Sequence, residues 1–275
     1  MTKQKIAFIG GGNMTRCLIG GLIDNGIDAH CIAVGEPNKL RREQLRSKFG
    51  VSAMADNVSA IIESTVIILA VKPQVMKAAV SSISQISSNN KPLIISIAAG
   101  ISVANLERWG LSNLSIVRAM PNTPALVRAG ITTLFSNSSV LPNQHNQAES
   151  ILNSVGKTAW VKKESLINMV TAISGSGPAY FLYLMEALEQ AAIEGGLDRK
   201  IARLLTIETI LGTARLAQYT DTPLADLRKQ VTSPGGTTEA AIAILDGASV
   251  QKLFKKAINT ARERAIDLDL ESNKS

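Results

Sequence analysis

Residues 233–238, Ser-Pro-Gly-Gly-Thr-Thr, gather three hydroxyl side chains and two glycines into one short stretch. Pro234 and the glycines stop one helical pattern and the threonines open another, so hydroxyls and the free N–H groups of a helix's first turn converge. Such a point can hold a carboxylate without any basic side chain. The same residues can equally be read as a helix–loop–helix in which Thr237 is only an N-cap. A second turn with chemical potential stands near the other end. Gly10-Gly11-Gly12-Asn13-Met14-Thr15 follows the strand-like Phe8-Ile9 and leads into a helical pattern, where a pyrophosphate could meet helix N–H groups. Gly10 permits the turn, and Gly12 permits close backbone approach. The third position of the pattern, usually Gly or Ala, is Thr15, so the motif alone is weak and a plain tight turn also fits it. Metal chemistry lacks ligands: the cysteines are Cys17 and Cys31 and the histidines His30 and His145, at spacings that suit neither a cluster nor a disulfide framework. On a strand, His30 and Cys31 would point to opposite faces.

Further polar turns fall where a sheet edge should be. After the second strand, Glu36 stands where an acid would accept the ribose 2′-hydroxyl of NAD, while Lys39, Arg41 and Arg42 suit a 2′-phosphate or form the solvated face of a helix begun by Asn38. Ala70-Val71-Lys72-Pro73, residues 96–100 around Ala98, and Ala119-Met120-Pro121-Asn122-Thr123-Pro124 each leave a strand at the end where ligands of a doubly wound sheet collect. Lys72 is otherwise an ordinary exposed lysine, and the prolines otherwise only stiffen their turns. Ser174-Gly175-Ser176-Gly177-Pro178 opens a long apolar helix, with Pro178 suited to its first turn.

The elements that must position these turns follow from periodicity. Short apolar runs at 5–9, 30–34, 66–70, 93–97 and 114–119, with a weaker one at 50–54, alternate with helical patterns and read as βαβ units. Runs at 131–135 and 158–161 read as edge additions. From Glu164 the texture becomes helical, with helices expected at 166–173, 179–194, 199–218, 224–231, 238–245 and 250–268, and a frayed tail over 267–275. The expectation is an α/β chain: a Rossmann-type, doubly wound, mostly parallel sheet over residues 1–164, then an all-α domain over 165–275. Residues 179–194 are apolar on nearly every side, which marks a helix that is buried or shared with another subunit, so the helical domain reads as an oligomerisation element.

Composition narrows the function. Hydrophobic residues are 45% and charged residues 19% of 275, and the 29 basic and 22 acidic residues leave a net charge of +7 spread without basic runs. With aromatic residues at 4%, stacking platforms and a nucleic-acid footprint are not expected. A mild attraction for an anionic cofactor remains. The opening residues carry no apolar stretch suited to secretion, so the protein is expected in the cytoplasm with no membrane partner.

The stretch 223–246, PLADLRKQVTSPGGTTEAAIAILD, closely resembles the signature of the pyrroline-5-carboxylate reductases, which make proline by reducing a cyclic imine with NAD(P)H. The resemblance runs from Phe8 to Asp246 and takes in the turns quoted above. It implies a dinucleotide along Gly10, Gly12, Asn13 and Met14, with Asn57 near its adenosine half and Ala70, Lys72, Pro73, Ala98, Ser174 and Gly175 along the rest. It implies substrate contacts at Ser233, Gly236, Thr237, Met120 and Ser176, and a catalytic Thr238 that orients the ring nitrogen. Bacterial-looking members mostly use NADPH, which is therefore implied here, with NADH possible. Members form homodimers that can build larger homo-oligomers.

Two other functions fit parts of the sequence. β-Hydroxyacid dehydrogenases also join a dinucleotide fold to helices, but they need a lysine on the long helix as general acid/base, and residues 165–197 carry neither Lys nor Arg. Imine reduction asks less, because a protonated C=N is already electrophilic. A non-catalytic dinucleotide-binding regulator would leave residues 233–238 without a role.

Overall fold

The computed structural model describes residues 5–274, apart from the side chains of 86–90 and 273–274. Among them eight strands, β1 (Ile6–Ile9), β2 (Ile32–Gly35), β3 (Ser52–Met54), β4 (Val66–Leu69), β5 (Leu93–Ser96), β6 (Ile116–Met120), β7 (Gly130–Ser136) and β8 (Gly156–Trp160), form one sheet in the order β3-β2-β1-β4-β5-β6-β7-β8. Helices α1 (Asn13–Asp24), α2 (Lys39–Phe49), α3 (Asn57–Ile61), α4 (Pro73–Asn90) and α5 (Val103–Leu106) cross between strands β1 to β6, which are parallel. A 3-10 turn, Thr123–Val127, links β6 to β7 without a crossover helix, and β7 accordingly runs antiparallel to β6. Helix α6 (Pro142–Asn153) then carries the chain to β8, parallel to β7.

Alternation along each central strand fills both faces. Ile6 and Phe8 of β1, Val66 and Ile68 of β4, and Leu93 and Ile95 of β5 enter one core cluster, while Ala7, Ile9, Ile67, Leu69 and Ile94 enter the other. Because β2 and β3 lie to one side of β1 and β4 to β8 to the other, strand order reverses between β1 and β4. The crevice outside the carboxyl ends of those two strands is where such a sheet takes a ligand.

Two expectations fail locally. His30 and Cys31 lie in a 3-10 turn, Ala29–Cys31, and not on the strand, because the Asp28 carboxylate accepts the His30 N–H at 3.0 Å and folds the chain before it extends. The expected frayed tail is also helical. It continues a helix, α12, running Val250–Lys274, and a Cβ at Gly100 would lie 2.9 Å from the Leu268 Cβ, so the tail is anchored. Ser275 and the opening residues 1–4, read above as free of a secretion signal, lie outside the described residues.

After β8 come α7 (Leu166–Val170), a wide π turn at Thr171–Gly175, α8 (Gly177–Glu194), α9 (Arg199–Tyr219), α10 (Leu224–Gln230), α11 (Thr237–Gly247) and α12. Packing groups Gly177–Ile258 as one compact unit and the remainder as another. The texture of the sequence changes earlier, at Glu164, because α7 is helical in pattern yet packs on β7. Glu164 itself accepts the Val103 N–H and the Arg118 guanidinium, each at 2.8 Å. In the helical unit α8 and α9 pack together, with Arg199 and Arg203 at 3.8 and 3.6 Å from Glu189. Phe181, Leu182 and Tyr183 on α8 and Leu204 and Leu205 on α9 stay exposed. Among the described residues no helix is long and apolar enough to cross a membrane.

Candidate functional site

The glycine turn leaves β1 with each residue differently constrained. Gly10 has φ +100°, donates its N–H to the Gly35 carbonyl at 2.8 Å, and has no room for a Cβ, which would sit 2.8 Å from the Ala70 carbonyl oxygen. Gly11 donates its N–H to Glu36 Oε2 at 2.9 Å. Gly12 is the N-cap of α1, receives no side-chain cap, and would put a Cβ into open space, with nothing within 4 Å. A bare helix N-terminus behind a vacant Cβ position fits a pyrophosphate. Asn13 begins the helix exposed and Met14 packs half-buried on the core. Thr15, the departure from the motif, is fully buried, and its hydroxyl donates to the Gly10 carbonyl at 2.6 Å. The larger side chain is thus tolerated because it ties the turn down.

At the exit of β2, Glu36 is buried and both its oxygens accept backbone donors, Oε2 from Gly11 and Oε1 from Asn38 at 2.9 Å. Asn38 caps α2 by accepting the Arg41 N–H at 3.0 Å. Arg42 donates to the carbonyls of Glu36 and Pro37 at 2.8 and 2.7 Å. Lys39 and Arg41 remain well exposed, Arg41 at 3.8 Å from Glu36. Asn57 sits across this exit, and its Oδ1 would lie 2.6 Å from a Cβ at Gly35, so the glycine admits it. Its amide donates to Ser82 Oγ at 3.1 Å.

Beyond the switch point, Ala70 donates its N–H to the Ile9 carbonyl at 2.9 Å, Lys72 is exposed, and Pro73 starts α4. Ala98 is buried after β5. Met120 at the end of β6 reaches the π turn, where its Cε occupies the place of a Gly175 Cβ, 2.5 Å from it. Ser174 turns its hydroxyl onto the Val170 carbonyl at 3.1 Å, and the Ser176 N–H donates to the Thr171 carbonyl at 2.8 Å. Beneath these turns Arg118 and Glu164 form a largely buried pair that reading the sequence missed. A single arginine inside an apolar strand pattern was the available signal.

The loop between α10 and α11 belongs to the helical unit. The Ser233 carbonyl accepts the Gly236 N–H at 3.0 Å and Gly235 has φ +71°, with Pro234 before it, the pattern of a type II turn. Gly236, not Thr237, is the N-cap of α11, and no side chain caps it. Thr237 and Thr238 are exposed, and among the described residues their N–H groups have no protein acceptor. Glu239 Oε2 accepts the Gly235 N–H at 2.8 Å, a contact that the Glu three residues after Gly236 could have signalled.

The turns at 10–14, 36, 57, 70–73, 98, 120 and 174–176 therefore belong to the sheet-bearing unit, and residues 233–238 to the helical one. The Gly236 N–H, expected among the substrate donors, is engaged by the Ser233 carbonyl. Among the described residues, the cradle's available donors are the N–H groups of Thr237 and Thr238 and the hydroxyls of Ser233, Thr237 and Thr238.

A family model described as pyrroline-5-carboxylate reductase dimerisation matches residues 164–268, and one described as NADP oxidoreductase, coenzyme F420-dependent, matches residues 5–100. A pyrroline-5-carboxylate reductase of Pseudomonas aeruginosa is 42% identical over 268 residues, 98% of each chain, and one of Pasteurella multocida is 41% identical over 274 residues, 98% of this chain and 99% of that one. Among solved structures, a pyrroline-5-carboxylate reductase from Coxiella burnetii superposes with a TM-score of 0.92 at 44% identity, covering 97% of this chain and 99% of that one. A Plasmodium falciparum pyrroline carboxylate reductase with NADP bound gives 0.87 at 29% identity, covering 98% and 99%.

Proposed function

The chain belongs to the pyrroline-5-carboxylate reductase family, and from that membership we propose how its own residues reduce the C=N bond of 1-pyrroline-5-carboxylate to give L-proline. The substrate carboxylate rests on the N–H groups of Thr237 and Thr238 and the Ser233 hydroxyl. Thr238 Oγ bonds the ring nitrogen, and Met120 and Ser176 border the ring. The observation that carries this reading is that α11 begins without a side-chain cap, leaving N–H donors and hydroxyls on one exposed turn. Neutral donors suit a substrate that carries both a carboxylate and a positive protonated imine, since they hold the first without repelling the second.

Gly10, Gly12, Asn13 and Met14 would hold the pyrophosphate, and Ala70, Lys72, Pro73, Ala98, Ser174 and Gly175 the remainder of the dinucleotide. When bound, the reduced nicotinamide supplies a hydride to the imine carbon. The nitrogen, already protonated, becomes a neutral secondary amine and needs no strong acid from the protein. Thr238, whose hydroxyl is no acid near neutrality, keeps the nitrogen aligned and passes a proton from water when the imine arrives unprotonated.

NADPH is the proposed donor in preference to NADH. Glu36 is already engaged with two backbone N–H groups, whereas Lys39 and Arg41 are open to a 2′-phosphate. A second copy of the chain is proposed to cover the exposed faces of α8 and α9, making a dimer from which larger assemblies can grow. This reductive use of NADPH fits the cytoplasm.

Thr238→Ala tests the assignment. Loss of a hydrogen bond to a charged group costs about 1.5–3 kcal/mol, so kcat should fall roughly ten- to a hundredfold while the NADPH dissociation constant holds. Equal loss of both would mean unfolding in place of a catalytic defect.

A further inference from the structure

We propose that Glu239 is a positioning residue for the substrate cradle, an assignment that rests on the reading of residues 233–238 given above. In the turn over 233–236 the Gly236 N–H is consumed internally by the Ser233 carbonyl, at 3.0 Å. The preceding N–H, that of Gly235, is not, and Glu239 Oε2 accepts it at 2.8 Å. That bond spans from the first turn of α11 back across an N-cap with no side-chain cap of its own. Two consequences follow for the cradle. First, the peptide planes between Gly235 and Thr238 are tied to the helix axis, so the N–H groups of Thr237 and Thr238 stay aligned with the Thr238 hydroxyl. Second, a competing donor is removed, since an unengaged Gly235 N–H would offer the substrate carboxylate a second seat and turn the C=N bond away from the hydride.

The carboxylate of Glu239 also places negative charge beside the seat of another carboxylate, which weakens binding, while the helix N-terminus offsets part of that cost. Glutamine keeps an acceptor oxygen and discards the charge, so Glu239→Gln and Glu239→Ala separate the two effects. With purified full-length protein, KM for 1-pyrroline-5-carboxylate, kcat, NADPH affinity and melting midpoint are measured for both. Glu239→Ala should raise KM about tenfold, the size expected for a lost charge-assisted hydrogen bond, with NADPH affinity unchanged. Glu239→Gln should restore KM to the parental value or below it. An Ala variant with parental KM, or a Gln variant no better than Ala, overturns the proposal. If the Ala change lowers the melting midpoint, the Gln comparison still decides, because a purely structural role would not move KM between two equally folded proteins. Should Thr238→Ala turn over normally, the cradle assignment itself fails; impaired Thr238→Ala beside an indifferent Glu239→Ala removes only the positioning role.

Discussion

Gly10 and Gly12 are two positions apart and should fail in opposite ways. At Gly10 both φ and the Ala70 carbonyl oppose a side chain, so Gly10→Ala should cost about 1–3 kcal/mol and lower the melting midpoint. At Gly12 a side chain meets no protein atom, so Gly12→Val should melt like the parent yet bind no NADPH in a fluorescence titration. Arg41→Ala should narrow the ratio of NADPH to NADH efficiency, measured as kcat/KM with each cofactor, because the exposed guanidinium is lost while Glu36 stays occupied. The turn at Gly10 and the helix start at Gly12 were legible in the sequence because a glycine turn is a local property. Thr15 was not: it reads as a flaw until its hydroxyl is seen on the Gly10 carbonyl. The engagement of the Gly236 N–H by Ser233 was hidden for the opposite reason, since a hydrogen bond within a turn leaves no trace in residue types.

Strands β1, β4 and β5 were legible as apolar runs because both their faces are buried, and the helical patterns followed from their own periodicity. What runs and periods do not carry is register. Arg118 interrupts β6 opposite Ser96, and nothing local tells that Glu164, 46 residues on, meets it. That pair ties the end of β6, where Met120 lies, to the segment leading into α7 and the π turn. Removing one partner of a buried pair strands the other charge. Glu164→Ala should therefore destabilise the sheet-bearing unit by about 3–5 kcal/mol, read as a lower urea midpoint. A change below about 1 kcal/mol would mean that Arg118 finds water and the pair ties nothing. The late start of β2 has the same origin on a smaller scale, since a single side-chain acceptor, Asp28, overrides a strand pattern.

Taken whole, the helical unit buries little of itself. Its apolar α8, marked in the sequence by polar residues too few to clothe it, presents Phe181, Leu182 and Tyr183 outward. Covering exposed apolar surface contributes about 25 cal/mol per Å², which favours a second copy. Leu182→Glu should accordingly shift the sedimentation-equilibrium mass towards the monomer and cut activity with it; an unchanged mass would remove α8 from the interface. Which residues the sheet and the helices bring to the reaction is tested most directly by a crystal structure with NADP and L-proline bound. The proline carboxylate is predicted within hydrogen-bond distance of the Thr237 and Thr238 N–H groups, with its ring nitrogen at Thr238 Oγ and the dinucleotide's phosphates over Gly12. A carboxylate seated on a basic side chain away from residues 233–238 would contradict the account.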